Sequence, residues 1–252
     1  MRIRTLILSR LFIKEQLKEP IAFFWIMVSP CALFYLLAAT RQDPNYFTGD
    51  YVLTTSWFYA YISSSVALFG FSFYIVGRRE SGFMRSFIYS AQTKSLFLRS
   101  HLLAYSLIAI FYCTVFYLIT RPAFGDYEFY EFYELYELYE FIIITTRFYL
   151  SFMLFCVIGL LFTLLPINFQ NSNTTFSILS FCMLVLGMMG ANDTDKITSV
   201  MNIGNPLALA YRLMAEGGLR NPYSSLLIIL AFGLSYKLTE RHLRINPVWS
   251  RY

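Results

Sequence analysis

Residues 53–77 read LTTSWFYAYISSSVALFGFSFYIVG, and the residues that follow, 78–85, read RRESGFMR. The first stretch contains no Asp, Glu, Lys or Arg. It is longer than the roughly 20 residues that an α-helix needs to cross a lipid hydrocarbon core. Charged residues begin immediately where the stretch ends. This arrangement predicts a membrane-spanning helix that ends in a polar loop on one side of the membrane.

Five further apolar stretches lie before and after this one. The chain is 57% hydrophobic and 14% charged, whereas soluble domains carry about 25% charged residues. The sequence therefore predicts an all-α membrane protein with six transmembrane helices, organised as a single transmembrane domain over residues 1–252. The predicted spans are residues 20–40, 53–77, 96–120, 141–165, 174–191 and 222–239.

The distribution of charge predicts the orientation. If the N-terminus is inside, the cytoplasmic segments and the adjoining span ends hold 14 of the 20 Lys and Arg residues, and 11 of the 15 acidic residues lie outside. Basic residues remain preferentially on the cytoplasmic side. Both termini are therefore expected in the cytoplasm, which requires an even number of spans. The net charge of +5 follows from this anchoring, so it does not indicate a nucleic-acid partner.

Two short elements flank the predicted spans. Residues 2–18 predict an amphipathic interfacial helix, with the charged residues mostly on the face opposite the apolar one. Its apolar face would carry Ile3, Leu6, Ile7, Leu11 and Leu17. Asn205-Pro206 and Gly217-Gly218 mark the start and end of an outer helical segment. That segment is too short to cross the membrane, so it is expected to be re-entrant or interfacial.

A Tyr-Glu repeat over residues 126–141 has two interpretations. It could form an acidic, aromatic outer mouth that attracts cationic or aromatic cargo. The candidate contacts are then Tyr127, Glu128, Glu131, Glu134 and Glu137. A period of three drifts by about 60° per repeat around an α-helix and makes no fixed face. The favoured interpretation is therefore a repeat expansion, tolerated as an outer extension of the fourth span.

Ionisable residues and cysteines inside the spans are few. Arg147 lies in the fourth span and is expected to snorkel outward or to pair with Glu140. The four cysteines lie in apolar stretches without paired spacing, so they indicate neither a disulfide framework nor a metal site. His101 and the serines at 63–65 lack an intramembrane carboxylate that would complete a catalytic set. The sequence therefore predicts no catalytic residues and disfavours an intramembrane enzyme.

The polar loop after residue 77 is the strongest candidate for a functional element. Ser81 is expected to cap a short helix over residues 81–91, with an apolar ridge on one side and charged residues beside it. Such a helix can dock into a groove on a soluble partner. The candidate residues are Arg79, Glu80, Ser81, Gly82, Phe83, Arg85, Phe87 and Ile88.

These motifs, taken in order, resemble the type-two permeases of ATP-binding-cassette exporters over essentially the whole chain. The matching pieces are Glu80-Ser81-Gly82 before a short coupling helix, the N-terminal helix ending at Glu19-Pro20, Pro30 in the first span, and Asn205-Pro206 before the last. The resemblance implies a homodimer, or a pseudo-dimer with a related subunit, in the bacterial cytoplasmic (inner) membrane. Two cytoplasmic ATP-binding-cassette ATPase subunits would bind ATP and Mg and drive it through the coupling helix.

The chain itself contains no Gly-x4-Gly-Lys-Ser/Thr phosphate loop. It is therefore expected to be neither an enzyme nor the holder of a cofactor. The resemblance implies an exporter, and the aromatic, weakly charged spans favour an amphipathic substrate. A peptide antibiotic or bacteriocin is the favoured substrate, and its export would give self-immunity. The alternatives are export of drugs or of lipid-linked polysaccharide, and a membrane immunity protein that transports nothing.

Overall fold

The structure, a computed structural model, describes residues 2–41, 49–124, 133–191, 204–217 and 222–248. Within these ranges the regular elements are helices and no β-strand is present, which confirms the all-helical class. The α-helices are α1 (Arg2–Leu17), α2 (Pro20–Phe23), α3 (Ser29–Arg41), α4 (Tyr51–Ser65), α5 (Phe73–Glu80), α6 (Phe83–Phe87), α7 (Ala91–Thr120), α8 (Tyr133–Thr163), α9 (Phe169–Ala191), α10 (Pro206–Arg212) and α11 (Pro222–His242).

Segments with π-helical hydrogen bonding join several of these helices. Phe24–Val28 links α2 to α3, and Val66–Ser72 links α4 to α5, so that Tyr51–Glu80 is one continuous helix. Leu213–Gly217 extends α10 in the same way. A π turn accommodates one extra residue per turn and occurs frequently at functional sites. In this chain the π turns lie within apolar helices and at the end of the short α10.

Within the described part of the chain, three helices are long and apolar enough to cross a membrane: Tyr51–Glu80, Ala91–Ala123 and Leu138–Thr163. A shorter apolar helix covers Phe24–Thr40. These helices show that the chain is a helical membrane protein. The full count of six spans remains a prediction.

Two helices begin ahead of the predicted spans that they contain, because polar residues cap them. α7 begins at Ala91 rather than near 96, since Ser90 accepts a hydrogen bond from the Thr93 amide (3.2 Å) and donates its own amide to the Thr93 hydroxyl (3.0 Å). This reciprocal pair is a capping box. α9 begins at Phe169 rather than near 174, where Asn168 accepts a hydrogen bond from the Asn171 amide at 2.7 Å.

The helix α8 is the centre of the bundle and packs against α7, α11 and the continuous helix Tyr51–Glu80. It crosses that helix closely at Gly159, where an added Cβ would lie 2.7 Å from the Cβ of Ser72. α8 also begins at Tyr133, so residues 133–140 of the Tyr-Glu repeat are helical. In this half of the repeat the backbone continues the helix that contains the fourth predicted span, and its position outside the membrane stays a prediction.

α1 packs on α7 through a face that is only partly apolar. Ser9, Phe12 and Gln16 are buried there. The Ser9 hydroxyl donates to the Ser100 carbonyl (2.9 Å), and the Tyr105 hydroxyl donates to the Gln16 side chain (2.8 Å). These contacts hold α1 against the bundle along much of its length.

The opposite face of α1 is exposed and mixed. It carries the apolar residues predicted for the membrane interface, Ile3, Leu6, Ile7, Leu11 and Leu17. Arg10 and Lys14 are exposed as well and lie between them at helical spacing. The prediction that charged residues occupy the opposite face is therefore wrong, because that face packs on α7. Long basic side chains can lie at an interface with their charge directed to water.

Candidate coupling site

The polar loop after residue 77 forms a shorter helix than predicted. Helix α6 covers Phe83–Phe87, not residues 81–91. Ser81 does not cap it, because the Ser81 hydroxyl donates back to the Arg78 carbonyl at 3.2 Å. Gly82 stands at the N-cap position with φ of +77°, a conformation that glycine adopts without a steric penalty. At the other end, the Ser90 capping box begins α7 and leaves Ile88 extended.

The predicted apolar ridge packs against the protein. Met84 and Ile88 are buried, and the rings of Phe83 and Phe87 stack at 5.6 Å between centroids and pack against the core. In a helix, residues four apart share a face, so both rings turn inward together. Phe83 and Phe87 remain half-buried, so their docking onto a partner stays a prediction, whereas Ile88 is buried within the chain.

The outward face of this loop consists of other residues. Arg85 and Ser86 are exposed, and Tyr89 is 85% exposed. Sequence reasoning missed Tyr89, because an aromatic residue near a membrane surface is ordinarily assigned to the lipid interface. The position of Tyr89 immediately before the cap residue Ser90, outside any helix, was the signal that could have identified it as exposed. We call Arg85, Ser86 and Tyr89 the loop tip.

Arg79 is a buried clamp and not an exposed contact. Its side chain is fully buried, and its guanidinium donates to the carbonyls of Thr163 (3.0 Å), Leu165 (3.2 Å) and Ile167. Helix α8 ends at Thr163, so the carbonyls at this end have no helical partner. Arg79 satisfies them from a position about 85 residues earlier in the chain. It thereby fixes the end of α8 and the connection to α9 onto the end of α5.

Glu80 connects Arg79 to the C-terminal tail. Its side chain, 7% exposed, accepts a hydrogen bond from Arg79 Nε at 3.0 Å. The backbone amide of Val248 donates to both of its carboxylate oxygens, at 3.2 and 3.3 Å. Hydrogen bonds with an ionised partner are roughly twice as strong as neutral ones. The tail residue Leu243 is buried as well, so the described part of the tail packs against the bundle.

Arg78 links the same loop to α1. Its guanidinium forms an ion pair with Glu15 and lies 4.3 Å from the ring centroid of Phe12 and 5.0 Å from that of Phe83. A guanidinium over aromatic faces contributes about 0.5–2 kcal/mol, depending on how far it is desolvated. Arg78 therefore couples the position of α1 to that of α6.

Segments that the sequence assigns to one side of the membrane thus meet at one end of the bundle. They are the N-terminal helix, the loop after residue 77, the connection after Thr163 and the C-terminal tail. We call the contacts of Arg78, Arg79 and Glu80 the loop hub. Arg85, the tip residue that was predicted for coupling, lies outside the hub, whereas Arg79 and Glu80 are inside it.

Other polar contacts lie away from the hub and join different helices. Arg121 pairs with Glu140 at 3.4 Å, so Glu140 is engaged by Arg121 and not by Arg147 as expected. Arg147 instead donates to the carbonyl of Met214 at 2.8 Å, next to α10. Asn205 caps α10 through the Leu207 amide (3.0 Å) and donates to the Met183 carbonyl of α9 (2.8 Å). The helix start that Asn205-Pro206 predicted is confirmed.

The acidic-mouth residues lie outside what the structure describes. Tyr127, Glu128 and Glu131 fall in the gap between 124 and 133. Glu134 and Glu137 are in the first turns of α8, but their side chains are not described. Their contact with a cargo remains a prediction.

The groups considered for catalysis take part in packing. The hydroxyls of Ser63 and Ser64 donate to carbonyls of their own helix, at 2.9 and 2.8 Å. His101 is buried with Nε2 2.8 Å from the Phe71 carbonyl oxygen. Among the described residues, no cluster of three or more His, Cys, Asp or Glu side chains is close enough to hold a metal ion.

Comparison with known proteins gives a full-length relative. No family model matches the chain. Protein McbE of Escherichia coli is 31% identical over 259 aligned residues, which cover 98% of this chain and 98% of that protein. The similarity therefore extends over the helices, the loop hub and the tail, and is not confined to one motif.

Proposed function

Because this chain belongs to the family of the Escherichia coli Protein McbE, which it matches from end to end, we propose one function for the whole polypeptide: it is the membrane subunit of an ATP-driven exporter. In this proposal it crosses the bacterial inner membrane six times with both termini in the cytoplasm. Two copies form the path, and two separate ATPase subunits, which bind ATP and Mg, supply the energy.

The loop hub is the observation that carries this proposal. A driving subunit must move several helices from one point of contact. The loop tip follows closely in the chain after Arg79, which binds the end of α8, and Glu80, which binds the C-terminal tail. Through Arg78 the same loop also holds α1. A force applied at the tip would therefore displace α5, α8, α1 and the tail together.

The substrate proposed is an amphipathic compound, with a peptide antibiotic or bacteriocin favoured. The composition of the spans supports this choice, since the helix Tyr51–Glu80 carries aromatic and hydroxyl side chains and no charge before Arg78. A composition of this kind favours a molecule that is partly apolar and weakly charged. Export would remove the compound from the producing cell and would protect it.

Glu80 is a poor probe of coupling, because reversing its charge would place a cation against the buried Arg79. The loop tip gives a cleaner test. R85E and Y89A change exposed side chains and should leave stability within about 0.5 kcal/mol of the wild type. Both should abolish co-purification of an ATP-binding-cassette ATPase from the native host, and should abolish export. R212E reverses an exposed charge on α10 and serves as the matched control.

Labelling tests the orientation independently. Cys31, Cys113 and Cys156 are buried and Cys182 is exposed, so a C182S background reduces labelling of native thiols. A cysteine at position 85 should react with a membrane-impermeant maleimide only after the inner face is opened. Labelling of that cysteine in intact cells, or normal export by R85E and Y89A, would contradict the proposal. Resistance to a peptide antibiotic without any ATP-dependent export would favour the immunity protein instead.

A further inference from the structure

A cavity of about 320 Å³ lies beside the loop hub. It is lined by Glu19, Phe73, Tyr74, Gly77, Arg78 and Phe169, among others. Glu19 connects α1 to α2, and Phe169 is the first residue of α9. Small-molecule sites are typically concave spaces of about 300–1,000 Å³. The cavity therefore has the size of a ligand site, and three separate parts of the chain build it.

The position of the cavity corresponds to the membrane–water boundary. Arg78 is the first charged residue after the apolar stretch 53–77, and α1, with its exposed apolar face, ends at Leu17, two residues before Glu19. Phe73 and Phe169 form an apolar wall, with ring centroids 4.5 Å apart. A molecule in this place would have its polar end at the level of lipid headgroups and its apolar end towards the hydrocarbon.

Polar groups on the lining residues have unused hydrogen-bonding capacity. Arg78 Nε is buried and has no hydrogen-bond partner among the described residues. A buried donor of this kind is unfavourable until an acceptor oxygen satisfies it. The Tyr74 hydroxyl lies beside the exposed Glu19 carboxylate, to which it can donate, and it can turn to an acceptor that enters the cavity. The Glu19 carboxylate would then attract a cationic donor.

We propose that this cavity binds the headgroup of a phospholipid that carries a primary ammonium, of the phosphatidylethanolamine class. The phosphate oxygens accept from Tyr74 and Arg78, and the ammonium donates to Glu19. A choline headgroup presents no N–H to Glu19, and a glycerol headgroup presents no cation. The bound lipid fills the space between α1, α5 and α9. This site requires only that the chain is a membrane protein, and it does not depend on the exporter function.

The test compares three lipids with identical acyl chains, carrying ethanolamine, choline or glycerol headgroups. Each is added to the full-length chain in detergent, and bound lipid is counted by native mass spectrometry. In parallel, the thermal midpoint is followed through the fluorescence of the tryptophans. Ethanolamine lipid should bind at least about tenfold more tightly than the other two, which corresponds to one hydrogen bond to a charged group.

The variants separate the two halves of the headgroup. E19Q should remove the preference for ethanolamine over choline, and Y74F should weaken binding of all three lipids. Y223F changes a tyrosine that is 79% exposed on α11 and should alter neither. Equal binding of the three lipids to the wild type would overturn the proposal. Unchanged binding in both E19Q and Y74F would overturn it as well.

Discussion

Replacing Arg79 by alanine should destabilise the protein more than other single changes of a charged residue at the loop hub. The substitution leaves Glu80, whose side chain is 7% exposed, without its ion-pair partner. It also removes the donor that satisfies the carbonyls of Thr163, Leu165 and Ile167. Removing one partner of a buried ion pair costs about 3–5 kcal/mol. The three carbonyls that lose their donor add less to this loss of stability than three fully buried unsatisfied groups would, because water can reach the opened site.

The cost should depend on the shape of the replacement. Lysine keeps the positive charge but lacks the planar guanidinium, so it cannot donate to Glu80 and to the three carbonyls at the same time. R79K should therefore lose roughly half as much stability as R79A. In the double variant R79M/E80Q both charges are absent, and a buried pair replaced as a whole is often close to neutral. This variant should be more stable than R79A, although it has one more substitution.

Equilibrium unfolding in mixed detergent micelles measures these differences. A loss of 3–5 kcal/mol changes the unfolding constant by roughly two to four orders of magnitude. The double-mutant cycle over Arg79 and Glu80 gives their coupling energy directly. Stability of R79A within about 0.5 kcal/mol of the wild type would refute the clamp. If R79M/E80Q were as unstable as R79A, the loss of stability in R79A would not come from the unpaired charge of Glu80.

Two further predictions concern backbone contacts. V248P removes the amide that donates a hydrogen bond to Glu80, so it should free the tail and raise the hydrogen-exchange rate of the tail amides by about tenfold or more. V248A keeps the amide and should leave this rate unchanged. Equal exchange rates in the two variants would contradict the contact. G159A should destabilise by about 1–3 kcal/mol, because its Cβ would lie 2.7 Å from that of Ser72. At Gly233 an added Cβ would meet open space, so G233A should leave the stability of the protein unchanged or raise it by up to about 1 kcal/mol. Equal unfolding midpoints for G159A and G233A would contradict the close helix crossing at Gly159.

The helical architecture could be read from local sequence because the causes are local. An uncharged stretch that is long enough to cross the membrane forms a helix, since every backbone polar group in the lipid must be satisfied within the segment. The start of α10 was equally clear, because Asn205 supplies a cap and Pro206 tolerates the first helical position. The bounds predicted for α6 were wrong, and the starts of α7 and α9 ahead of their predicted spans depend on caps at Ser90 and Asn168, where several Ser, Thr or Asn residues compete.

The loop after residue 77 shows the limit of this approach. Its residue types indicated a functional element, and Arg79 and Glu80 were predicted to contact a partner; the structure places both in buried contacts within the chain. Their partners could not be found from the sequence, because Thr163 and Val248 contribute backbone groups, which every residue possesses. The inward direction of Phe83 and Phe87 depends on where the core lies around a five-residue helix.

The sequence by itself determined that this chain is a helical membrane protein with a charged loop after its second apolar stretch. Composition and segment length decide whether a segment is more stable in lipid or in water. Only the tertiary structure decided that Arg79 and Glu80 hold the bundle together while Arg85 and Tyr89 face outward. The physical reason is distance along the chain. Hydrogen bonds that join residues 84 and 168 positions apart form only after the helices have packed, and no local pattern specifies them.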